Sequence, residues 1–374
     1  MGNNSAIFQI IPFFTGTAED IPNGSFVKQH VSFSINKDVQ ADAIIIGLPD
    51  NDQGNDFSIA DRMRKELYRL TSLTKNLNIL DLGNLKCGDN IGENIETLYK
   101  VLLTLHQLSV KIVLLGGNAH LQNKVIFNFY KIEQYPLNYV DVNSIITWDN
   151  LPIDPLTTNP VSSVSQNQLN YVNMGFQLYY VEKEVLEFLH DANFDSYRLG
   201  LVRNNIAAFE PIVRDANVLN ISLNSVKYSD APAARFSSPN GLSGDEMCQL
   251  AFYGGYSSSL KIFNISDMEC ASDPRNITSV LASQALWYLF EGFANNTFED
   301  PGLNPENFTK YHIHIDMANQ DLAFYYSTLT QRWWMEVSLE SEKRKILVSC
   351  NASDYELACK QEIPERWWRL FNRV

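Results

Sequence analysis

Residues 111–120 read KIVLLGGNAH, a run of apolar residues followed directly by two glycines. The run from Lys111 to Leu115 has the length of a buried strand. Similar runs of four to six residues recur on both sides of it and alternate with longer segments of helical period. These runs cover residues 43–48, 77–82, 137–142, 198–202, 218–223 and 260–265. The alternation is typical of β-α-β units built around a mostly parallel sheet.

The segments between the runs supply the helices of such a fold. Apolar side chains recur at helical spacing in 59–70 and in 95–108, which predicts two helices that pack on the sheet. Ser243 and Glu246 have the spacing of a capping box and predict the start of another helix. Segment 277–293 is the most apolar, so we expect it in the core. The predicted fold class is α/β: three layers, α/β/α, with a mostly parallel, doubly wound sheet.

The C-terminal part of the chain differs in composition from the rest. Residues 295–305 are rich in Asn, Pro, Gly and acidic residues, as a connection is. We therefore predict an α/β domain over residues 1–305 and an aromatic-rich C-terminal extension over 306–374. Four of the six tryptophans lie in pairs at 333–334 and 367–368. An extension of this kind is expected to pack on the same domain or on a neighbouring subunit.

The formal net charge is −14, from 43 acidic and 29 basic residues. This charge repels phosphate backbones and anionic headgroups, so we expect neither nucleic acid nor a membrane as a partner. A small cationic ligand is compatible with it, and so is a generic solvated acidic surface. No stretch approaches the ~20 apolar residues that span a bilayer, and the first residues lack a secretory pattern. We expect a cytoplasmic protein.

Several common site motifs are missing from the sequence. The glycine pair is not a Walker loop, no GxGxxG follows the first strand, and no GxSxG elbow is present. The five cysteines are widely spaced and form no CxxC pair. The sequence therefore offers no motif for nucleotide binding, for a serine hydrolase elbow or for a zinc knuckle.

Five motifs, in this order, resemble the strand ends of the arginase (ureohydrolase) family, which includes agmatinase and formimidoylglutamase. They are IIIGLP (44–49) with DRMR (61–64), LLGGNAH (114–120), YVDVNSI (139–145), SLNSV (222–226) and NGLSGDE (240–246). The second is similar to the family's Gly-Gly-Asp-His-Ser, the third to its Asp-Ala-His-x-Asp, and the fourth to its Ser-Phe-Asp-Val-Asp. The resemblance implies an arginase-like fold over about residues 40–290. The extension resembles that of longer bacterial proteins labelled formimidoylglutamase or arginase.

The resemblance also locates the family's metal ligands. In active members two manganese ions, held by two His and four Asp, activate a water that attacks a guanidinium or formimino carbon. Carried over to this sequence, the ligand positions are Ala119, Asp141, Asn143, Ile145, Asn224 and Val226. One of them is a carboxylate, two are amides and three are aliphatic. Hard cations need carboxylate or imidazole ligands, so we expect neither a manganese pair nor another cofactor.

Three residues close to these positions carry hypotheses of their own. His120 lies one residue beyond the expected ligand, and we interpret it as a structural histidine rather than a shifted ligand. Glu246 matches the family's substrate-facing Glu, but it fits the capping box equally well. Lys227 follows the former Asp-Val-Asp motif, and its ammonium group is a candidate to neutralise Asp141 in the vacated metal space.

The extension contains a second group of possible ligands. The segment from Tyr311 to Asp316 alternates polar and apolar residues, as an amphipathic strand does. His312, His314 and Asp316 would share one face of it, and a metal site there is the less favoured interpretation because no further ligand is in view.

Three functions remain open from the sequence. The first is a non-catalytic or repurposed ureohydrolase-fold protein that binds a small cationic or amidine-like ligand, or a protein partner, at the former active site. The second is an active formimidoylglutamase- or arginase-type amidine hydrolase with a rearranged manganese site. The third is a structural subunit that assembles through its aromatic extension. Because family members commonly form trimers or hexamers, we expect a homo-oligomer.

Overall fold

Two β-sheets organise the part of the chain that the structure, a computed structural model, describes. The described residues are 10–11, 24–32, 41–49, 58–86, 91–106, 110–118, 137–151, 169–269, 273–316, 318–339 and 344–371.

Within these ranges, the first sheet contains ten strands. They are β1 (Ile10–Ile11), β2 (Val31–Ser32), β3 (Ala43–Gly47), β4 (Ile79–Leu85), β5 (Lys111–Leu115), β6 (Leu137–Val142), β7 (Leu169–Phe176), β8 (Asp195–Arg198), β9 (Val218–Ser222) and β10 (Ile262–Ser266). Their order is β1-β4-β3-β5-β10-β9-β6-β7-β8, and β2 also pairs with β4. Only β1 runs antiparallel to its neighbour. The mostly parallel, doubly wound sheet is therefore confirmed.

Helices cover both faces of this sheet. They are α1 (Phe26–His30), α2 (Ser58–Leu67), α3 (Ile91–His106), α4 (Lys183–Asp191), α5 (Leu199–Asn204), α6 (Glu210–Arg214), α7 (Gly244–Gly255) and α8 (Ile277–Asn295). Helices α2, α7 and α8 share one apolar core with Val140 of β6. Helices α3 and α4 share the opposite core with Tyr139. Neighbouring residues of one strand point to opposite faces, so the two cores make the predicted three layers.

The apolar segment 277–293 was expected in the core, and α8 confirms this. Leu286, Leu289 and Phe290 are fully buried. None of the helices in the described ranges combines the length and the apolarity needed to cross a membrane.

Two strand predictions need correction. The run 198–202 is not a strand, because β8 ends at Arg198 and α5 begins at Leu199. Strand β8 (DSYR) lies at the end of the strand order, and three of its four residues are Asp, Ser and Arg, so no apolar run marks it. Strand β7 (LNYVNMGF) was missed, because two asparagines and a glycine interrupt its apolar pattern.

A buried ion pair fixes α2 to the sheet. The Arg64 guanidinium donates from Nε to Asp81 Oδ2 at 2.8 Å and from Nη2 to Asp81 Oδ1 at 3.1 Å. Both side chains are fully buried. Gly47 of β3 lies against this pair: a Cβ there would stand 2.0 Å from Asn84 Oδ1 and 2.9 Å from Arg64 Nη1. The ion pair therefore requires a residue without a side chain at position 47.

The extension forms a second, antiparallel sheet of four strands. They are β11 (Phe308–Ile315), β12 (Gln320–Ser327), β13 (Trp333–Leu339) and β14 (Arg344–Cys350), followed by helices α9 (Ala352–Cys359) and α10 (Glu365–Phe371). Trp367 of α10 is buried in the core of this unit. The sequence had indicated β11 but not the other three strands.

Charged and aromatic contacts join the extension to the α/β domain. Arg366 Nη2 donates to Asp215 Oδ2 at 2.7 Å, and the backbone N–H of Ser349 donates to the same oxygen at 3.0 Å. The Arg214 guanidinium lies 4.5 Å from the ring centre of Trp334. These contacts lie within one chain, whereas the boundary at residue 305 stays a prediction.

Candidate functional site

Four polar residues lie side by side across the middle of the parallel sheet. Asn173 of β7 is the register partner of Asp141 of β6, which in turn pairs with Asn220 of β9. Asn220 pairs with Asn264 of β10. We call these four residues the polar row. Nearer the strand starts, the same face carries apolar residues such as Tyr139 and Tyr171. The row thus marks the point where this face becomes polar toward the carboxyl ends of the strands.

Hydrogen bonds connect most of the polar row. Asn264 Nδ2 donates to Asn220 Oδ1 at 2.9 Å, and Asn220 Nδ2 donates to Asp141 Oδ1 at 2.7 Å. The Tyr171 hydroxyl donates to Asp141 Oδ2 at 3.1 Å. Both carboxylate oxygens of Asp141 are therefore engaged by the protein's own donors, and the side chain is nearly inaccessible to solvent.

A second buried carboxylate, Asp267, adjoins the row. It follows β10 in a left-handed backbone conformation with φ of 63°. Ser222 Oγ donates to Asp267 Oδ2 at 2.7 Å, and Ser266 Oγ lies 3.2 Å from that oxygen and 3.0 Å from Asn220 Oδ1. Ser266 therefore links Asp267 to the polar row.

Burial dominates the ionisation of Asp141. Removal of the carboxylate from water raises its pKa from 3.8 to about 7, and the nearby charge of Asp267 pushes in the same direction. The hydrogen bonds from Asn220 and Tyr171 lower the pKa and offset part of this rise. Near neutral pH, protonated and ionised Asp141 are therefore both populated.

Three buried polar atoms at this edge have no hydrogen-bond partner among the described residues: Asn143 Nδ2, Asn173 Oδ1 and Asn264 Oδ1. An unpaired buried polar atom typically costs ~1–3 kcal/mol. The edge therefore retains hydrogen-bonding capacity for a small polar molecule.

The two amides at positions that the resemblance assigns to metal ligands serve the local backbone. Asn143 Oδ1 accepts from the N–H of Ile145 at 3.2 Å. Asn224 Oδ1 accepts from the N–H of Phe236 at 2.7 Å. A hydrogen bond between Ser144 Oγ and the carbonyl of Asn224, at 2.6 Å, holds the ends of β6 and β9 together. Each of these amide oxygens therefore already accepts a hydrogen bond from the backbone.

The aliphatic side chains at the other positions that the resemblance assigns to ligands contain no atom that could bind a metal. Val226 is fully buried within the apolar core, and its backbone bridges to Leu242. Ile145 is half-buried. Ala119 and His120 lie outside the described residues.

The hypothesis that Lys227 neutralises Asp141 is wrong. Lys227 Nζ lies 3.4 Å from Asp230 Oδ2, its ion-pair partner three residues on. Asp141 is bound by neutral donors and not by a cation. The turn after β9 directs Lys227 along the chain toward Asp230, and the buried carboxyl is stabilised by amide and hydroxyl groups instead.

Glu246 forms the capping box that its spacing predicts. Its Oε2 accepts from the N–H of Ser243 at 2.7 Å, while Ser243 Oγ accepts from the N–H of Glu246 at 3.3 Å. The other carboxylate oxygen lies 3.4 Å from Arg203 Nε. A protein guanidinium therefore already contacts the carboxylate that the resemblance assigns to a substrate.

The histidines of the extension lie at its surface. His314 Nδ1 is 2.8 Å from Asp321 Oδ1, and its Nε2 is 3.9 Å from Asp316 Oδ1. Strand β11 alternates exposed and more buried residues, as expected for an amphipathic strand, and His312 is exposed on it. In the described part of the chain, no three His, Cys, Asp or Glu side chains are grouped so that they could hold a metal ion.

No protein-family model matches the sequence, and no curated protein matches it either. Several solved structures, in contrast, are similar to this chain. The formimidoylglutamase of Bacillus subtilis aligns with a TM-score of 0.64 at 13% identity, covering 76% of this chain and 97% of the other. A Trypanosoma cruzi formiminoglutamase with Mn²⁺ aligns with a TM-score of 0.62 at 18% identity, covering 74% and 100%.

This chain has the arginase-like fold. A third neighbour, the proclavaminate amidino hydrolase of Streptomyces clavuligerus, aligns with a TM-score of 0.56 at 15% identity over 72% of this chain and 97% of the other. At these identities the likeness establishes the fold, whereas the chemistry must be argued from the residues.

The three asparagines of the polar row are the part of the candidate site that sequence reasoning missed. The signal is present: β9 reads VLNIS and β10 reads IFNIS, so an asparagine occupies the middle of both apolar runs, with a serine two residues later. Because side chains alternate across a strand, Asn220 and Ser222 share a face, as do Asn264 and Ser266.

Proposed function

We propose that this arginase-fold protein does not hold a binuclear manganese site and that it is a non-catalytic ligand-binding protein. The observation that carries the proposal is the closed environment of Asp141, the one carboxylate at the six former ligand positions. Asn220 and Tyr171 occupy both of its oxygens.

The donor set does not fit two manganese ions. A hard divalent cation needs carboxylate, imidazole or free carbonyl oxygen ligands, and it binds poorly where these are replaced. Val226 and Ile145 offer no ligand atom, and the amide oxygen of Asn224 is bound to a backbone N–H. We derive no hydrolytic step from these residues.

The contact between Arg203 and Glu246 supports the same proposal. In the family that the sequence resembles, this carboxylate engages the substrate's guanidinium. Here Arg203 lies 3.4 Å from it, and the capping box holds its other oxygen. An amidine substrate would have to displace an internal cation before it reached Glu246.

Metal analysis combined with an activity assay tests the proposal. The full chain, purified and then supplied with Mn²⁺, is expected to retain less than one manganese per chain. It should release no urea or formamide from arginine, agmatine or formiminoglutamate. Stoichiometric manganese together with product release would instead establish the second hypothesis, an active hydrolase with a rearranged site.

A further inference from the structure

A surface groove opens at the carboxyl ends of β7 and β8. Its volume is about 570 Å³, which lies within the range typical of small-molecule sites. The turn after β7, the end of β8, helix α5 and Asn240 form its walls. In open α/β sheets, ligands usually bind at this edge of the sheet.

Among the described residues, two cationic side chains and no acidic one line the groove. Arg198 and Arg203 both reach it. Arg198 is exposed and forms no ion pair with any residue that the structure describes. Arg203 contacts Glu246 at 3.4 Å, yet half of its side chain remains accessible. In a chain with a net charge of −14, a groove without a carboxylate is a local exception that favours an anion.

One face of helix α5 lines the groove. Leu199, Gly200, Arg203 and Asn204 line it, as residues spaced by three and four positions do, whereas Val202 on the other side is buried in the core. The helix is therefore fixed by packing while its polar side faces the groove.

Fixed hydrogen bonds shape the opposite wall. Gln177 Nε2 donates to the carbonyl of Asn240 at 3.0 Å, and the Tyr179 hydroxyl donates to Gln177 Oε1. Phe176, Leu178 and the Tyr179 ring add apolar surface. Guanidinium groups pair well with carboxylates, and apolar walls accommodate a hydrocarbon body.

We propose that this groove binds a small organic acid, with its carboxylate at Arg198 and Arg203 and its apolar body against Leu178 and Tyr179. This deepens the proposed ligand-binding function and rests on it. The net charge was compatible with a small cationic ligand. For this groove an anionic ligand is proposed instead, because two guanidinium groups repel a cation.

Calorimetric titration of the full chain, in chelator and at low ionic strength, tests the proposal. The probes are benzoate, 3-phenylpropanoate and glutarate, compared with 3-phenylpropanamide and inorganic phosphate. At least one acid should bind with a Kd below about 1 mM. The neutral amide and phosphate should bind at least about tenfold more weakly, because each lacks one of the two recognised groups.

Two variants with matched controls locate the site. Arg198→Gln should weaken binding of the acid at least about tenfold, while Arg69→Gln, at a side chain that is 74% exposed, should leave it unchanged. A Cβ at Gly200 or at Gly24 would meet no atom within 4 Å. Gly200→Leu should therefore fill the groove and abolish binding in a folded protein, and Gly24→Leu should not.

The proposal is overturned if none of the three acids binds, if the amide binds as tightly as the acid, or if phosphate binds more tightly. Unchanged affinity in Arg198→Gln would also overturn it, even if Gly200→Leu failed to fold. Because the titration contains no metal, manganese-dependent hydrolysis would refute the proposed function without altering this result.

Discussion

Asn220 Nδ2 donates a hydrogen bond of 2.7 Å to Asp141 Oδ1, across the two central strands β9 and β6. The arginase family places metal-binding carboxylates close to this point, at the ends of the same two strands. Here an amide from the neighbouring strand donates to one carboxylate oxygen, and Tyr171 donates to the other. Hydrogen bonds from neighbouring strands therefore hold the buried carboxyl group.

The raised pKa of Asp141 predicts a pH-dependent stability. The folded chain keeps this proton up to about pH 7, whereas an unfolded aspartate releases it near 3.8. Between these values the unfolded state binds fewer protons, so the unfolding free energy falls as pH rises. Asp141→Asn should remove this loss and stabilise the protein at pH 8 by up to a few kcal/mol, at about 1.4 kcal/mol per pKa unit. Chemical denaturation at pH 5 and at pH 8 measures the difference.

The control for this experiment is Asp191→Asn, at a side chain that is 68% exposed. Its stability should follow the pH profile of the unmodified chain. If Asp141→Asn raised the free energy of unfolding equally at both pH values, the assigned pKa would be contradicted. A pH-independent gain in stability reflects packing alone.

The buried pair of Arg64 and Asp81 predicts a strict requirement for glycine at position 47. Gly47→Ala would force Asn84 and Arg64 to move, because the new Cβ would stand 2.0 Å and 2.9 Å from their atoms. We expect a loss of about 3 kcal/mol, between the typical costs of overpacking and of breaking a buried pair. Gly24→Ala, where the Cβ meets nothing within 4 Å, should change stability by less than ~0.5 kcal/mol. Equal melting temperatures of Gly47→Ala and Gly24→Ala would show that the buried ion pair is not tightly packed against position 47.

Asp215 is predicted to hold the extension on the α/β domain. Asp215→Ala leaves the N–H of Ser349 and the guanidinium of Arg366 without their acceptor. We expect a local loss of ~1–3 kcal/mol, seen as faster hydrogen exchange in residues 344–350. Asp321→Ala, at an 85% exposed side chain of β12, serves as the control. Unchanged exchange in β14 after Asp215→Ala would mean that other contacts hold the extension.

The sequence predicted the strands whose runs are mostly apolar, even where a polar residue such as Asn220 or Asn264 stands within the run. Strands β5 and β6 match their predicted bounds, because both faces are covered and most of their side chains are apolar. Strand β7 was missed because its asparagines support neighbouring strands, and such pairing depends on strand order, which one sequence does not contain. Strand β8 was predicted a few residues too late in the chain, because the apolar run after it belongs to helix α5.

The candidate site was likewise predictable from the sequence only in part. The capping box of Ser243 and Glu246 was predictable, since both partners lie within one helical turn. The partners of Asp141 were not, because Asn220 is 79 residues away and becomes its neighbour only through the parallel pairing of β6 with β9. Lys227 was a plausible cation by sequence proximity, yet the turn after β9 pairs it with Asp230.

The most direct test of the central claim is an anomalous-scattering map, recorded at the manganese absorption edge from crystals of the full chain soaked in Mn²⁺. We predict no peak beside Asp141, Asn143 and Asn224. Two strong peaks a few ångströms apart next to Asp141 would contradict the account, because one carboxylate and two backbone-bound amides are too few ligands for two divalent ions.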